Sequence, residues 1–344
     1  AATPVSYARI CQHYLFSYQV FLHQQSPTVS TAHFHCLPST TSFPASSTDV
    51  LESMLLDSDD SAAAAATSVQ LQEAATPRTS LNILTNLCAV NNTKYLVTTT
   101  SATEGVLSSL SEHAVDREEV AESGLWVLLN QCFIRENVLL VRDSVAVALE
   151  LLKEWGDHNP KLTEHAASIL WLVGAERQAV VAEHKKMERM RTTTVVMATT
   201  THDEDDAQQE ENARAMRVIR AILWSIVVHR AVLSVCSSCL LCLSTTLDME
   251  NETTMEFMTG STDGGEECLE ILFGVLRSHG TKHLAIAEPG VRVLEIVCRY
   301  ACLRLSESGE MILNELRMLG GVEYLQQIIV KFPNQQDMRT RAQQ

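Results

Sequence analysis

The residues in this sequence best suited to chemistry are three cysteines. Cys236, Cys239 and Cys242 read Cys-x-x-Cys-x-x-Cys, a spacing that zinc and iron–sulfur sites use. Here they stand inside the apolar run Val-Leu-Ser-Val-Cys-Ser-Ser-Cys-Leu-Leu-Cys-Leu (232–243). At i, i+3 and i+6 they follow one drifting helix face, with no glycine to wrap a cluster and no evident fourth ligand. The expected reading is three small hydrophobes in a core, with no metal. Histidines 113, 165, 184 and 229 stand singly. The sequence holds no glycine loop for phosphate, no His-Glu-x-x-His, no Gly-x-Ser-x-Gly and no kinase signature. A non-catalytic chain without cofactors is expected. The small basic cluster Lys185, Lys186, Arg189 and Arg191 is a solvated face by default. A localisation signal and a docking strip for the chain's own acidic insert are its alternatives. With aromatics at 5% and no basic stripe between them, nucleic-acid binding finds no support.

These residues sit on helices. Val141, Val145, Ala148, Leu149, Leu152 and Trp155 form one apolar stripe; Leu162, Ala166, Ile169, Leu170 and Val173 form another. Between them, Asn159 is placed to cap and Pro160 to open the second helix, with Gly174 expected to end it. The 17 uncharged residues of 231–247 fall short of the ~20 needed to cross a bilayer and are diluted by Ser and Thr. A buried helix is expected there. Trp171 and Trp224 are likewise expected in the core.

Composition agrees. Across 344 residues, hydrophobic content is 46%, with only 13 Gly and 8 Pro, which favours an all-α chain. The formal net charge of −16 is unevenly spread. Residues 49–75, 202–211 and 248–270 hold 20 of the 42 acids and no Lys or Arg, leaving 22 acids against 26 bases elsewhere. The acidity belongs to inserts and does not call for a basic ligand. Ten cysteines without a dense framework suit a reduced, cytoplasmic chain, with nuclear or cytoskeletal association open. Asn91 and Asn251 would then be unused as glycan acceptors. Residues 1–48 carry no acid, one Arg and four His, and are expected to be a disordered or processed extension. Ala1 in place of Met suggests a processed or partial chain.

From residue 49 onward, similar helix endings recur. Aligned leucines Leu84, Leu128, Leu170, Leu223 and Leu294 are spaced by 44, 42, 53 and 71 residues. The two clean intervals set a period, and the long ones contain low-complexity inserts at about 192–211 and 247–266. The last segment, 310–342, has a helix, the pair Gly320-Gly321, a second helix, a polar turn and a third helix. It resembles an armadillo repeat, and the endings at 80–88, 121–132 and 166–173 are similar to armadillo third helices. The resemblance covers roughly 50–344. It implies an α-α superhelix of five to six repeats, with a continuation expected past the sixth helix.

The family's third helices line a concave groove that holds extended peptides. In its nuclear-import adaptors a Trp and an Asn four residues apart project from each. Trp126 and Asn130 match that pair. Asn82/Asn86, Ser168/Leu172, Ala221/Ser225 and Arg292/Ile296 do not. The resemblance therefore implies a protein-binding scaffold or adaptor, with Asn82, Asn86, Trp126 and Asn130 as groove residues; Asn86 and Asn130 carry amides that donate and accept. An importin-alpha-like cargo adaptor, and a regulatory array of a larger protein such as a kinase, are the rival readings.

Overall fold

In the computed structural model, residues 102–344 are described except 133–137, 139, 140, 143, 192–201, 249, 250, 261–266, 305 and 306. The described residues are all-helical. The expectations for 1–48, for the repeat at 50–90, and for Asn82 and Asn86 fall outside them.

Twelve helices are seen among the described residues: α1 (Ala102–His113), α2 (Glu118–Cys132), α3 (Ser144–Trp155), α4 (Pro160–Arg191), α5 (His202–Val228) and α6 (Leu233–Thr246). They continue as α7 (Glu252–Met258), α8 (Cys268–Val275), α9 (Leu284–Leu303), α10 (Glu307–Met318), α11 (Gly321–Lys331) and α12 (Gln336–Gln343). A π-turn over Leu276–Gly280 extends α8.

The helices pack in two rows. In the first, α2 lies on α4, α4 on α6, α6 on α9 and α9 on α12. In the second, α1 lies on α3, α3 on α5, α5 on α8, and the π-turn after α8 on α11. The rows are joined by pairs adjacent in sequence: α1 to α2, α3 to α4, α5 to α6, the π-turn to α9 and α11 to α12. The apolar stripes meet between them. Val145, Ala148, Leu152, Leu162, Ala166, Ile169 and Leu170 are all buried, as their spacing predicts.

Helix starts follow local chemistry. Asn159 accepts a hydrogen bond from the Leu162 amide at 2.9 Å, the N-cap expected before Pro160. Gly320 adopts φ +83°, the left-handed conformation that glycine takes without a Cβ penalty, and turns the chain from α10 into α11. The helix–Gly–helix–turn–helix order expected over 310–342 is observed.

Four expectations need correction. Gly174 does not end α4, which runs on to Arg191. A Cβ at Gly174 would lie 3.2 Å from Thr245 Oγ1, so this glycine admits α6 to close contact instead. The insert at 192–211 is no loop over its second half, because α5 begins at His202. The insert at 247–266 contains α7, whose Met255, Phe257 and Met258 are buried and whose N-cap is Asn251. Its acidity masked a small apolar face, and Arg220 lies 5.1 Å over the Phe257 ring. Finally, the Ile-Leu-Trp-Ser signature of α5 belongs to the second row, and α6 takes the first-row place. Trp224 is consequently 56% exposed and donates to Asp157 Oδ1 at 2.6 Å, whereas Trp171 is buried as expected.

Tyr324 of α11 enters the core beside two glycines. A Cβ at Gly280 would stand 2.5 Å from its hydroxyl oxygen and 2.8 Å from its ring, and that hydroxyl is buried without a partner. Gly280→Ala should therefore lower stability by about 1–3 kcal/mol through overpacking. Tyr324→Phe should cost nothing or stabilise, since it removes an unpaired buried polar group. Chemical denaturation of the two variants and their double mutant checks both signs.

Candidate binding cleft

The residue pair expected to face a groove is packed inward instead. Asn130 is buried, and its side-chain amide donates to the Trp126 carbonyl at 2.8 Å, one turn back in the same helix. Trp126 is half-buried against the core and lies 4.7 Å from the His165 ring, tilted by 35°. The two do not project together from α2. His165 itself sits on α4 at the α2 contact, 9% exposed, with Nδ1 lacking a partner. Burial pulls its pKa down to about 4 against the weaker upward pull of Glu122.

The three cysteines lie along α6 and are fully buried. Burial raises all three thiols, Cys236 to about 11 and Cys242 to about 12, with Cys239 raised further by its two neighbours and Glu164. They are packing groups, held as protonated thiols. Among the described residues no group of three or more His, Cys, Asp or Glu is arranged to hold a metal ion, and no helix is long and apolar enough to cross a membrane.

A cleft of about 900 Å³ opens elsewhere, where α4 and α5 leave the two rows. Its floor is apolar: Val145 of α3, Leu170 and Val173 of α4, and Val218 of α5. Val181 forms an exposed lip. Arginines from three places also line it, Arg142 just before α3, Arg177 of α4 and Arg214 of α5. The lining continues over the end of α6 and the start of α7, with Thr246, Asp248, Asn251 and Glu252.

Hydrogen bonds fix this frame. Gln178 Nε2 donates to the Thr245 carbonyl at 2.7 Å, tying α4 to the end of α6. Asn251 Nδ2 donates to Asn212 Oδ1 at 2.9 Å, which also accepts from Gln208 at 2.9 Å. Arg214 Nη2 donates to the Arg142 carbonyl at 3.3 Å. Arg177 forms an ion pair with Glu211 across the α4–α5 gap. Its guanidinium is drawn below the usual arginine range by burial first, then by Arg214 and Arg142. Arg177 thus has two like charges and one carboxylate close by in a partly dehydrated cleft. Arginine keeps its charge under such conditions and offers a planar fork to carboxylate or phosphate.

The sequence reading missed this site. Arg142, Arg177 and Arg214 are separated by 35 and 37 residues and form no local motif. Comparison of the chain with family models, with curated proteins and with solved structures finds no match.

Two outcomes check the buried groups. His165 is held neutral when folded but takes a proton near its ordinary 6.5 when unfolded. The unfolded chain therefore binds the extra proton, and stability falls with pH between about 6.5 and about 4, by up to about 3 kcal/mol. Glu122 and Lys161 face this ring, and Glu164 is the adjacent residue in the chain. Glu164, raised by burial, acts in the opposite sense, so the comparison must be with a His165→Gln variant that shares it. The variant should lose less stability than the wild type over that window; equal slopes in urea titrations would remove the assignment. For the thiols, brief maleimide labelling of the native chain, read by peptide mass spectrometry, should mark exposed Cys302 and leave Cys236, Cys239 and Cys242 unmodified until denaturant is added.

Proposed function

We propose that this chain is a non-catalytic protein-interaction scaffold of the armadillo-type helical-repeat class. The row-on-row packing supports the repeat reading. Each pair of sequence neighbours supplies one helix to each row, and each pair rests on the next. The three-helix order ending in α10, α11 and α12, with Gly320 at the corner, has the form the family uses. Such a stack offers a rigid surface whose ordering cost is met by its own core, so a ligand meets a preformed site.

The observation that carries the binding reading is the cleft of about 900 Å³, with an apolar floor and a charged, hydrogen-bonded rim. Few convergent polar groups over an apolar base are what a recognition site needs. Its size suits a short segment of a partner protein. We place that segment here rather than along Trp126 and Asn130, whose side chains are turned into the protein.

Selection from a random peptide library on the immobilised full chain tests this. Selected peptides should bind about tenfold or more weakly to Val181→Glu, which changes the exposed lip of the cleft, with the helical melt unchanged. Trp224→Ala, exposed but outside the cleft lining, should leave their binding intact. A library yielding no binder, or binders sensitive to Trp224 and indifferent to Val181, would defeat the proposal.

A further inference from the structure

We infer that His229 is a positioning residue for the cleft: it pins α3 to α5 at the end remote from the cleft and limits how far the open end can part. This rests on the binding reading above only in taking the cleft as the site that is held. A ladder of ring N–H groups runs along one edge of the stack. Trp155 Nε1, at the α3–α4 corner, donates to the Ala114 carbonyl of the α1–α2 corner at 2.8 Å. His229 Nε2, at the α5–α6 corner, donates to the Gly156 carbonyl of the α3–α4 corner at 2.5 Å. His279 Nε2, in the π-turn before α9, donates to the Arg230 carbonyl of the α5–α6 corner at 2.8 Å. A carbonyl only accepts, so each histidine carries a proton on Nε2. Three successive corners thus reach back to the one before.

The middle step bears on the cleft. Val145 stands eleven residues before Gly156, and Val218 eleven before His229. At 1.5 Å per residue each helix runs about 16 Å from the pinned corner to the cleft floor, where both valines lie. The His229 bond therefore fixes the register of α3 against α5. At the open end Arg214 Nη2 reaches the Arg142 carbonyl at 3.3 Å, a long bond in solvent that constrains little. The first row is held separately, since Ser168 with Ser238 and Gly174 with Thr245 keep α4 on α6. Freedom to open lies between α3 and α5, and the corner is its hinge. Two other bonds meet at this corner. Thr163 Oγ1 also donates to the Gly156 carbonyl at 3.0 Å, but from α4, so it links nothing across the gap. Trp224 Nε1 donates to Asp157 Oδ1 at 2.6 Å, but that pair is exposed and water can replace it. His229 is buried, and its bond has no such substitute.

Hydrogen–deuterium exchange of the full chain, read by peptide mass spectrometry, tests this without any ligand. In His229→Leu, exchange at the cleft-lining segments 212–218 and 242–247 should rise about tenfold, while 338–343 in α12 stays unchanged. His229→Gln, whose side-chain amide brings an N–H to the place of Nε2, should restore wild-type exchange. Trp224→Ala should leave it at the wild-type level. Should the leucine variant not fold, His229→Asn, whose amide reaches only the place of Nδ1, takes its role. Faster exchange confined to the corner itself, 156–163 and 229–236, would overturn the inference and leave a local brace. A rise spread evenly through α9 and α12 would overturn it in favour of a general loss of stability. A folded glutamine variant that exchanges like the leucine one would overturn it too, since the lost N–H would not be the cause. The peptide selection is independent of these outcomes. Binders sensitive to Val181→Glu, with unchanged exchange in His229→Leu, would end this inference alone; the expected exchange with no binder would end the binding reading alone.

Discussion

The absence of charge along α6 governs its surroundings. From Leu233 to Thr246 the helix carries no ionisable side chain except its thiols. Three of its hydroxyls are spent close at hand: Ser244 donates to the Leu241 carbonyl, and Thr245 and Thr246 both donate to the Cys242 carbonyl, while Ser237 donates to the Ala285 carbonyl of α9 at 3.0 Å. What remains outward is close to apolar on every side. Such a helix must be covered all round, and α4, α5 and α9 do so. Small side chains let the coverage be tight. Ser168 donates to Ser238 across the α4–α6 contact at 3.0 Å, and Gly174 admits Thr245 two turns further on. The cysteines fill the interior as compact hydrophobes, which explains their number and their spacing without a metal.

This constraint shows what was legible in the sequence. The stripes of α3 and α4, the Asn159 cap and the corner at Gly320 could be read because each signal is local and helical. The buried nature of 231–247 was legible for the same reason. The failures came from reading signals in isolation. Gly174 reads as a terminator, but its role is contact with Thr245, a residue 71 positions away. The acidic run before Ala213 reads as an insert, yet acids in the first turns of a helix are compatible with its macrodipole. Met255, Phe257 and Met258 were concealed by the acids around them. The tryptophan signature of α5 resembled the endings of first-row helices, although its ring faces solvent and Asp157.

Of the expected groove residues, Trp126 and Asn130 are turned inward for a packing reason. An asparagine four residues after a tryptophan can reach out to a ligand or back to the carbonyl one turn earlier. Asn130 does the second. Its neighbour Trp126 meets the His165 ring, and both are drawn into the contact between α2 and α4. Sequence alone does not distinguish these outcomes, because the deciding partner lies on another helix.

The cleft follows from the departures from the regular period. Helix α4 overruns Gly174 as far as Arg191, and α5 starts at His202, well before the part that packs on α6 and α8. Two helices that outrun their neighbours cannot be covered by them. The gap left beside their bases is the cleft, and Arg177 with Glu211 spans it. Partial dehydration there strengthens charge interactions relative to open solvent, while the floor supplies apolar surface. The longer interval between leucines 170 and 223 is therefore more than an interruption of the period. It supplies the two overhanging helices, and with them a cavity where charge and apolar surface meet.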